Sequence, residues 1–302
     1  MVKMNSSMKN RQNYNMAQTQ THNRYLDMVD HPAHVKKLTV KQLEHLAKEL
    51  RQELIEGLAK NGGHLGPNLG VVELTVAMHK VFETPKDKFV WDVSHQSYVH
   101  KILTGRKKQF RTIRTTDGLN GFSLRTESEH DCYGAGHAGT ALSAALGMAA
   151  ARDQKGSKEN VVCVFGDAAL TNGCSFEALN NIAQTTKKFI GILNDNEWSI
   201  AKNVGAISNY LNKLITNPSY NKITNDLQNF LEKIPSGKLA VRLGLRGQEA
   251  LKGTVTQAIL EHNEETMDAD GRGGFGSSLI FEEFGIRYLG PIDGHDLPLI
   301  IE

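Results

Sequence analysis

Oxygen-bearing side chains follow two apolar segments of this sequence, at a spacing that suits a metal site. Asp167 comes one residue after the apolar run 161–165 ends, with Gly166 between, and Asn196 follows the run 189–193. The two residues are 196 − 167 = 29 positions apart, which leaves room for one crossover helix and one strand. Because the carboxyl ends of parallel strands meet at one edge of a sheet, we expect Asp167 and Asn196 to lie side by side. A carboxylate beside an amide oxygen suits a hard cation such as Mg²⁺, which keeps few protein ligands and shares phosphate oxygens.

The elements that must position this pair alternate between strands and helices. Runs of β-branched, aromatic and other apolar residues predict strands at 89–93, 161–165, 189–193 and 286–289. Helical stretches lie between them at 138–152 and 175–184. This alternation predicts an α/β fold, with a mostly parallel sheet that helices cover on both faces. The run 161–165 is apolar throughout, as expected of a strand that is buried on both sides.

Helices are predicted at both ends of the chain as well. Thr39 and Gln42 form a capping-box pattern ahead of apolar residues at helical spacing, namely Leu43, Leu46, Ala47, Leu50, Leu54 and Leu58. The Asn-Gly-Gly at 61–63 ends that helix, and a second helix is predicted at 71–81. A further helix begins after Asp296, with an apolar face that looks unfinished.

The domain organisation predicted from composition is a single large domain with one long excursion. Residues 1–24 are polar and are expected to form a loose tail, with order beginning near Tyr25. The domain covers 25–302, and an Asn-, Lys- and Gly-containing excursion from the sheet is expected at about 202–278. We expect the chain to be the front portion of something longer, or to need a second chain.

Charge and composition exclude several classes of protein. The 302 residues contain 35 Lys and Arg against 33 Asp and Glu, so the net charge of +2 points neither to nucleic acid nor to an anionic membrane. The sequence has no apolar run long enough to span a bilayer. Its three cysteines match neither a disulfide framework nor a zinc motif. A cytoplasmic setting, with no nucleic acid or membrane partner, is therefore expected.

Several stretches of the chain resemble one family, from about residue 35 to the last residue. Asp167 and Asn196 match the thiamine diphosphate motif, in which Gly-Asp-Gly is followed by Asn-Asp-Asn one crossover later. The rest is similar to the 1-deoxy-D-xylulose-5-phosphate synthase family, whose fold resembles the N-terminal, diphosphate-side domain of transketolase. The matching stretches are GGHLGPNLGVVELTVAMHKVF (62–82), WDVSHQSYVHKILTGR (91–106), SEHDCYGAGHAGTALSAALGMA (128–149), GDAALTNGCSFEALN (166–180), LNDNEWSIAKNVGAIS (193–208) and FEEFGIRYLGPIDGHD (281–296).

The resemblance implies a set of site residues. Mg²⁺ would be held by Asp167, Asn196 and the backbone carbonyl of Trp198, and would bridge the diphosphate. The cofactor would be contacted by His95, Gly136, His137, Ala138, Ala168, Ala169, Asn196 and Tyr288. Among the catalytic histidines, His64 would lie near the substrate and His95 near the diphosphate and the reacting end. His295 would come from the last loop and, with Tyr288, close over the cofactor or the aldehyde's phosphate.

The sequence departs from the family pattern at a few of these positions. Ala168 stands where the family usually has the second glycine of Gly-Asp-Gly, and Ser94 replaces a usual glycine before His95. Ala138 replaces a serine, and Trp198 replaces a methionine. If residue 168 needs a positive φ or a close approach to phosphate, the methyl group of Ala168 would weaken cofactor binding.

The resemblance also implies an activity and its alternatives. The family condenses pyruvate with glyceraldehyde 3-phosphate with loss of CO₂, which is the first step of the non-mevalonate isoprenoid pathway. The family's activating glutamate belongs to a pyrimidine-side domain that this sequence does not include, nor does it include the C-terminal domain. We therefore expect at most residual activity from this chain alone, and a homodimer or a second chain as partner. The alternatives are a front-half subunit of a split transketolase-like enzyme and a non-catalytic remnant that binds thiamine diphosphate.

Overall fold

A computed structural model describes residues 24–195, 279–289 and 292–302. These residues divide into two compact units, and each unit is described by itself. The first unit contains 24–84, 95–123 and 294–302, and the second contains 85–94, 124–195, 279–289 and 292–293. The predicted tail, apart from Arg24, and the predicted excursion at 202–278 lie outside the described residues.

Among the described residues, three predicted strands and five predicted helices occur in the predicted order, together with four short helices that were not predicted. The helices are α1 (Pro32–Lys36), α2 (Val40–Asn61), α3 (Leu65–Leu69), α4 (Val72–Val81), α5 (Tyr98–Lys101), α6 (Ala141–Lys155), α7 (Gly173–Thr185), α8 (Leu279–Glu283) and α9 (Leu297–Ile301). The strands are β1 (Lys88–Trp91), β2 (Val161–Gly166) and β3 (Ile190–Asn194). Within the described ranges, no helix is long and apolar enough to cross a membrane.

Helix α2 organises the first unit, and its predicted start and end are confirmed. The Thr39 hydroxyl accepts a hydrogen bond from the Gln42 N–H at 3.4 Å, and the Gln42 side chain accepts one from the Thr39 N–H at 2.8 Å. Gly62 ends the helix at a φ of +72°, which favours glycine. The six apolar residues that were predicted to face the core are all buried.

Helices from distant parts of the chain complete the core of the first unit. Residues of α2 share one apolar cluster with residues of α4 and α5, and with Leu297 in α9. Helix α9 begins where predicted, because the Asp296 carboxylate accepts a hydrogen bond from the Leu299 N–H at 3.1 Å. The last described helix therefore packs in the same core as α2.

The second unit is built on a parallel sheet, as the alternation of strands and helices predicted. Its strands lie in the order β1-β2-β3, and Cys163 in β2 pairs with Val90 on one side and Gly191 on the other. Every residue from 161 to 165 is buried, so β2 is covered on both faces. Alternate residues of β2 pack in one apolar cluster with α6 and α7. The α/β fold is confirmed.

The strand predicted at 286–289 is wrong. These residues belong to no strand of the described chain, although Ile286 and Tyr288 pack against the apolar cluster of the second unit. The Tyr288 ring stacks on Phe281 of α8, with ring centroids 5.6 Å apart, and Leu289 is 69% exposed. Half-buried and exposed residues do alternate from 286 to 289, but the half-buried ones pack against side chains and pair with no described strand.

Candidate active site

The carboxyl ends of β2 and β3 lie side by side, which is the arrangement that the spacing predicted for the metal pair. Gly166 at the end of β2 pairs with Asn194 at the end of β3. Asp167 follows Gly166 directly and is only 8% exposed, so a buried acidic residue comes directly after the end of β2. Asn196 and Trp198 lie outside the described residues, and the complete metal site stays a prediction.

The oxygen donors at this edge fit the chemistry of a hard cation. In the part of the chain that the structure describes, no group of at least three His, Cys, Asp or Glu residues could hold a metal ion. The expected set differs from such a group, because it combines one carboxylate with an amide oxygen and a carbonyl. Asp167 alone of that set is described, and it begins the turn directly after β2.

Ala168 and Ala169 lie in a turn of 3₁₀ helix, Asp167–Thr171, directly after β2. The described non-glycine residues with positive φ are Val93, Ser94, Arg114 and Asp117, so Ala168 is not one of them. The backbone at 168 therefore does not need glycine for its conformation. A positive φ is therefore no longer a reason for the methyl group of Ala168 to weaken cofactor binding. Close approach to phosphate is the reason that remains.

A buried carboxylate caps the loop that holds Gly136, His137 and Ala138. Asp92 follows β1 and is 3% exposed, and it accepts hydrogen bonds from the N–H groups of Gly139 (3.0 Å), Thr140 (3.1 Å) and Ala141 (3.2 Å). Helix α6 therefore begins at Ala141, later than the predicted residue 138. The three predicted cofactor-binding residues precede it, and all three are exposed.

The sequence did not identify Asp92 as a residue of the site. A weak signal was present, since Asp92 directly follows a strand, at the edge where ligands of parallel sheets bind. Its partners lie 47 to 49 positions further along the chain, so only the fold brings them together.

In the first unit, the structure brings His64 and His95 together. Their ring centroids are 5.4 Å apart, with the ring planes at 80°. The Nδ1 atom of His64 lies 3.1 Å from the Tyr98 hydroxyl, and the ring of Phe122 lies 5.6 Å from that of His64. The two predicted histidines thus form one cluster with two aromatic side chains.

Burial lowers the pKa of both imidazoles. It lowers the pKa of His95 to about 4, and the nearby charge of His64 contributes to the same shift. The pKa of His64 is also lowered, first by burial and then by the positive charge of Arg114. Burial raises the pKa of Tyr98. At neutral pH, His95 is therefore a hydrogen-bonding group without charge.

Asn68 is a second residue of this cluster that the sequence did not identify. It is fully buried in α3, and its amide nitrogen donates to the carbonyls of His64 (2.7 Å) and His95 (2.8 Å). Its amide oxygen accepts from the Tyr98 N–H at 2.9 Å. One side chain therefore ties together the backbones of the three residues that face each other in the cluster.

His295 contacts a different pair of side chains in the first unit. Its Nδ1 atom lies 3.0 Å from the Glu73 carboxylate and 3.2 Å from Arg51. Arg51 also forms a two-point ion pair with Glu73, at 3.1 and 2.6 Å. These contacts anchor the loop before α9 to α2 and α4, and the predicted catalytic role of His295 stays a prediction.

The fold and these clusters define a class, that of α/β proteins with polar residues at the carboxyl edge of a parallel sheet. Residues 26–302 match the family described as 1-deoxy-D-xylulose-5-phosphate synthase. The chain therefore belongs to the 1-deoxy-D-xylulose-5-phosphate synthase family.

Two curated relatives are each described as 1-deoxy-D-xylulose-5-phosphate synthase. The protein from Methylacidiphilum infernorum is 55% identical over 276 residues, which cover 91% of this chain and 40% of the relative. That from Acidobacterium capsulatum is 54% identical over 277 residues, which cover 92% of this chain and 41% of the relative. The chain thus spans about two fifths of the length of these relatives.

A looser structural likeness is to transketolases. A transketolase variant from Pichia stipitis aligns with a TM-score of 0.48 and 22% identity, over 54% of this chain and 28% of that one. The transketolase of Campylobacter jejuni also aligns with a TM-score of 0.48 and 22% identity, over 54% of this chain and 29% of that one.

Proposed function

We propose that this chain supplies the diphosphate side of a thiamine diphosphate-dependent synthase. The reaction is the condensation of pyruvate with glyceraldehyde 3-phosphate, with loss of CO₂, to give 1-deoxy-D-xylulose 5-phosphate. Family membership supports this assignment. The observation that carries it is the buried carboxylate of Asp167 at the aligned ends of β2 and β3. When bound, thiamine diphosphate stabilises the electron pair that remains on carbon after CO₂ leaves.

Apart from His95, the residues proposed to hold the cofactor belong to the second unit or to the segment after β3. Asp167, Asn196 and the Trp198 carbonyl would hold Mg²⁺. The backbone N–H groups of Ala168 and Ala169 would bind the diphosphate, since unpaired N–H groups favour anions. Further contacts to the cofactor would come from Gly136, His137, Ala138, Asn196 and Tyr288.

His64 and His95 are proposed to act as neutral hydrogen-bonding groups near the substrate and the reacting end of the cofactor. The low pKa of His95 supports this role, because an uncharged imidazole can donate one hydrogen bond and accept another. The Tyr98 hydroxyl holds His64 at Nδ1, which leaves Nε2 for a ligand. His295 is the third proposed catalytic histidine, and Glu73 is positioned to orient its ring.

Calorimetric titration with thiamine diphosphate in the presence of Mg²⁺ tests the metal assignment. Asp167→Ala is expected to abolish Mg²⁺-dependent binding, because it removes a charged ligand from the predicted set. Asp195→Asn is the matched control, since Asp195 lies just beyond β3 at the same edge and is not a proposed ligand. Unchanged affinity in Asp167→Ala would contradict the assignment.

We also propose a cytoplasmic homodimer, or a complex with a second chain that supplies the activating carboxylate. Sedimentation analysis of the purified chain tests the dimer, for which twice the monomer mass of 33.3 kDa is expected. The split transketolase-like alternative predicts turnover of ketose phosphates after a second chain is added. Turnover of pyruvate under the same conditions favours the synthase.

A further inference from the structure

The N-terminus of helix α6 is capped by a carboxylate of the protein itself, that of Asp92. The first N–H groups of a helix have no partner within the helix and carry partial positive charge. Here the Asp92 carboxylate accepts from the N–H groups of the first helical residue Ala141, of the N-cap residue Thr140 and of Gly139 before it, at 3.0 to 3.2 Å. Thr140 makes no side-chain capping bond, so Asp92 caps the helix from the segment that follows β1.

This arrangement decides where a phosphate group can bind. A buried carboxylate in contact with Gly139, Thr140 and Ala141 leaves these N–H groups without capacity for a second anion. Like charges placed side by side in a buried site also repel. These three N–H groups are therefore closed to a diphosphate, although the first N–H groups of a helix commonly bind one.

The same contacts hold the loop that precedes α6. Gly139 has a φ of +78°, and a Cβ atom added there would collide with the side chain of Asn172. On that same side, the Ser175 hydroxyl donates to the Gly139 carbonyl at 3.4 Å. Gly139 is thus held between Asp92 and the start of α7. The exposed residues 136–138 extend from this fixed point, and a Cβ atom added at Gly136 would meet no atom within 4 Å.

We propose that Asp92 is a positioning residue for cofactor binding. It orders residues 136–140 before the cofactor arrives, and it occupies the N–H groups of residues 139–141. The diphosphate would therefore find its N–H partners outside these three residues. This inference rests on the proposed function for the identity of the cofactor, whereas the ordering of the loop does not depend on it.

Amide hydrogen exchange of the full chain without cofactor tests the ordering. In Asp92→Asn, one oxygen becomes an NH₂ group that cannot accept a hydrogen bond. Exchange is expected to accelerate at least tenfold at Gly139, or at Thr140 and Ala141 if the amide is flipped. Ala149, inside the same helix, is the internal control and should keep its protection. Unchanged exchange at all three amides would overturn the proposal.

Cofactor affinity tests the positioning role. Asp92→Asn is expected to weaken thiamine diphosphate binding at least tenfold in calorimetry with Mg²⁺. Asp131→Asn is the matched control, because Asp131 is equally buried (3% exposed) and accepts from the Leu124 N–H at 3.0 Å. Both variants lose a buried carboxylate, but only the first should lose affinity. Equal affinity in Asp92→Asn and the unsubstituted chain would overturn the positioning role.

Chemical rescue separates this role from a general loss of structure. Asp92→Ala leaves a space with the shape of a carboxylate, which added formate can fill. Formate is expected to restore both the protection of Gly139 and the cofactor affinity, whereas chloride at the same concentration is not. Failure of formate to restore either one counts against the proposal. If the unsubstituted chain binds no thiamine diphosphate, the proposed function fails, and the exchange pattern still decides whether Asp92 orders the loop.

Discussion

Val93 and Ser94 have left-handed backbone conformations, with φ values of +58° and +65°. They follow Asp92, which caps α6, and precede His95, which is proposed to bind the cofactor. Such conformations cost of order 1–3 kcal/mol each in residues other than glycine, and they concentrate at functional sites. The substitution of serine for the family's usual glycine at position 94 therefore falls where glycine would fit the backbone best.

A pair of substitutions at Ser94 measures this backbone strain. Ser94→Gly and Ser94→Ala both remove the hydroxyl, so their comparison isolates the conformation. We expect the glycine variant to be more stable than the alanine variant by about 1 kcal/mol, because alanine in the left-handed region costs ~1–2 kcal/mol. Urea denaturation of both proteins provides the measurement. The reverse order, which is normal for a helix interior, would show that position 94 is not strained.

The buried imidazole of His95 makes stability depend on pH. Its folded pKa of about 4 lies below the ordinary value of 6.5, so between these values the unfolded chain binds a proton that the folded chain does not. The contribution of His95 is complete above pH 6.5 and is lost as the pH falls towards 4. Its slope is at most about 1.4 kcal/mol per pH unit.

Unfolding free energies measured between pH 4.5 and 7 check this expectation. Their slope against pH is compared with the ~1.4 kcal/mol per pH unit that binding of one proton gives. The variant His95→Gln keeps a polar side chain that does not titrate, and its stability should fall less steeply towards acid. Equal slopes in the two proteins would contradict the assigned pKa. Nuclear magnetic resonance of the His95 ring gives an independent value.

Among the elements, local patterns predicted five of the nine described helices, because their signals are contained within a few residues; the four that were missed are four or five residues long. The capping box at Thr39, the apolar stripe of α2 and the Asp296 cap of α9 all have their partners within four positions. The start of α6 was placed too early, because its cap comes from Asp92, in the segment after β1. Asn68 was not predicted for the same reason, since two of its hydrogen bonds join it to His95 and Tyr98, 27 and 30 positions further along the chain. Contacts between distant segments cannot be inferred from local periodicity.

The hydrogen bond that the Thr39 hydroxyl accepts at the start of α2 is expected to contribute to the free energy of unfolding. Thr39→Ala is expected to lower the free energy of unfolding by about 1 kcal/mol, because the Gln42 N–H loses its acceptor. Thr39→Ser keeps the hydroxyl and should change stability by only a few tenths of that amount. Thermal denaturation of the two variants makes the comparison. An equal loss in both would assign the effect to the methyl group of threonine.

At the scale of the molecule, segments that are far apart in the sequence belong to the same compact unit. The first unit combines 24–84, 95–123 and 294–302, so residues near the two ends of the described chain share one core. Within this unit, Leu297 is 2% exposed, and Ile300 and Ile301 pack against the same cluster. The apolar face of α9, which looked unfinished in the sequence, finds at least part of its partner there.

Leu297 tests how far the first unit depends on this segment. Leu297→Ala is expected to lower stability by about 2–5 kcal/mol, the range for truncation of a buried leucine. Leu289→Ala is the control, because Leu289 is 69% exposed and its loss should change stability by less than about 0.5 kcal/mol. Chemical denaturation compares the two. Equal effects would mean that α9 contributes little to the core.

Because the first unit is built from separate segments of the sequence, its folding depends on the order in which those segments are synthesised. Domains commonly fold as they leave the ribosome, beginning with the one that is synthesised first. Here Leu297 joins the core of the first unit, and Phe281 joins the apolar cluster that packs on the sheet of the second unit. We therefore expect neither unit to be complete until these late segments have left the ribosome, and the nascent helices of both units to expose apolar surface to chaperones until then.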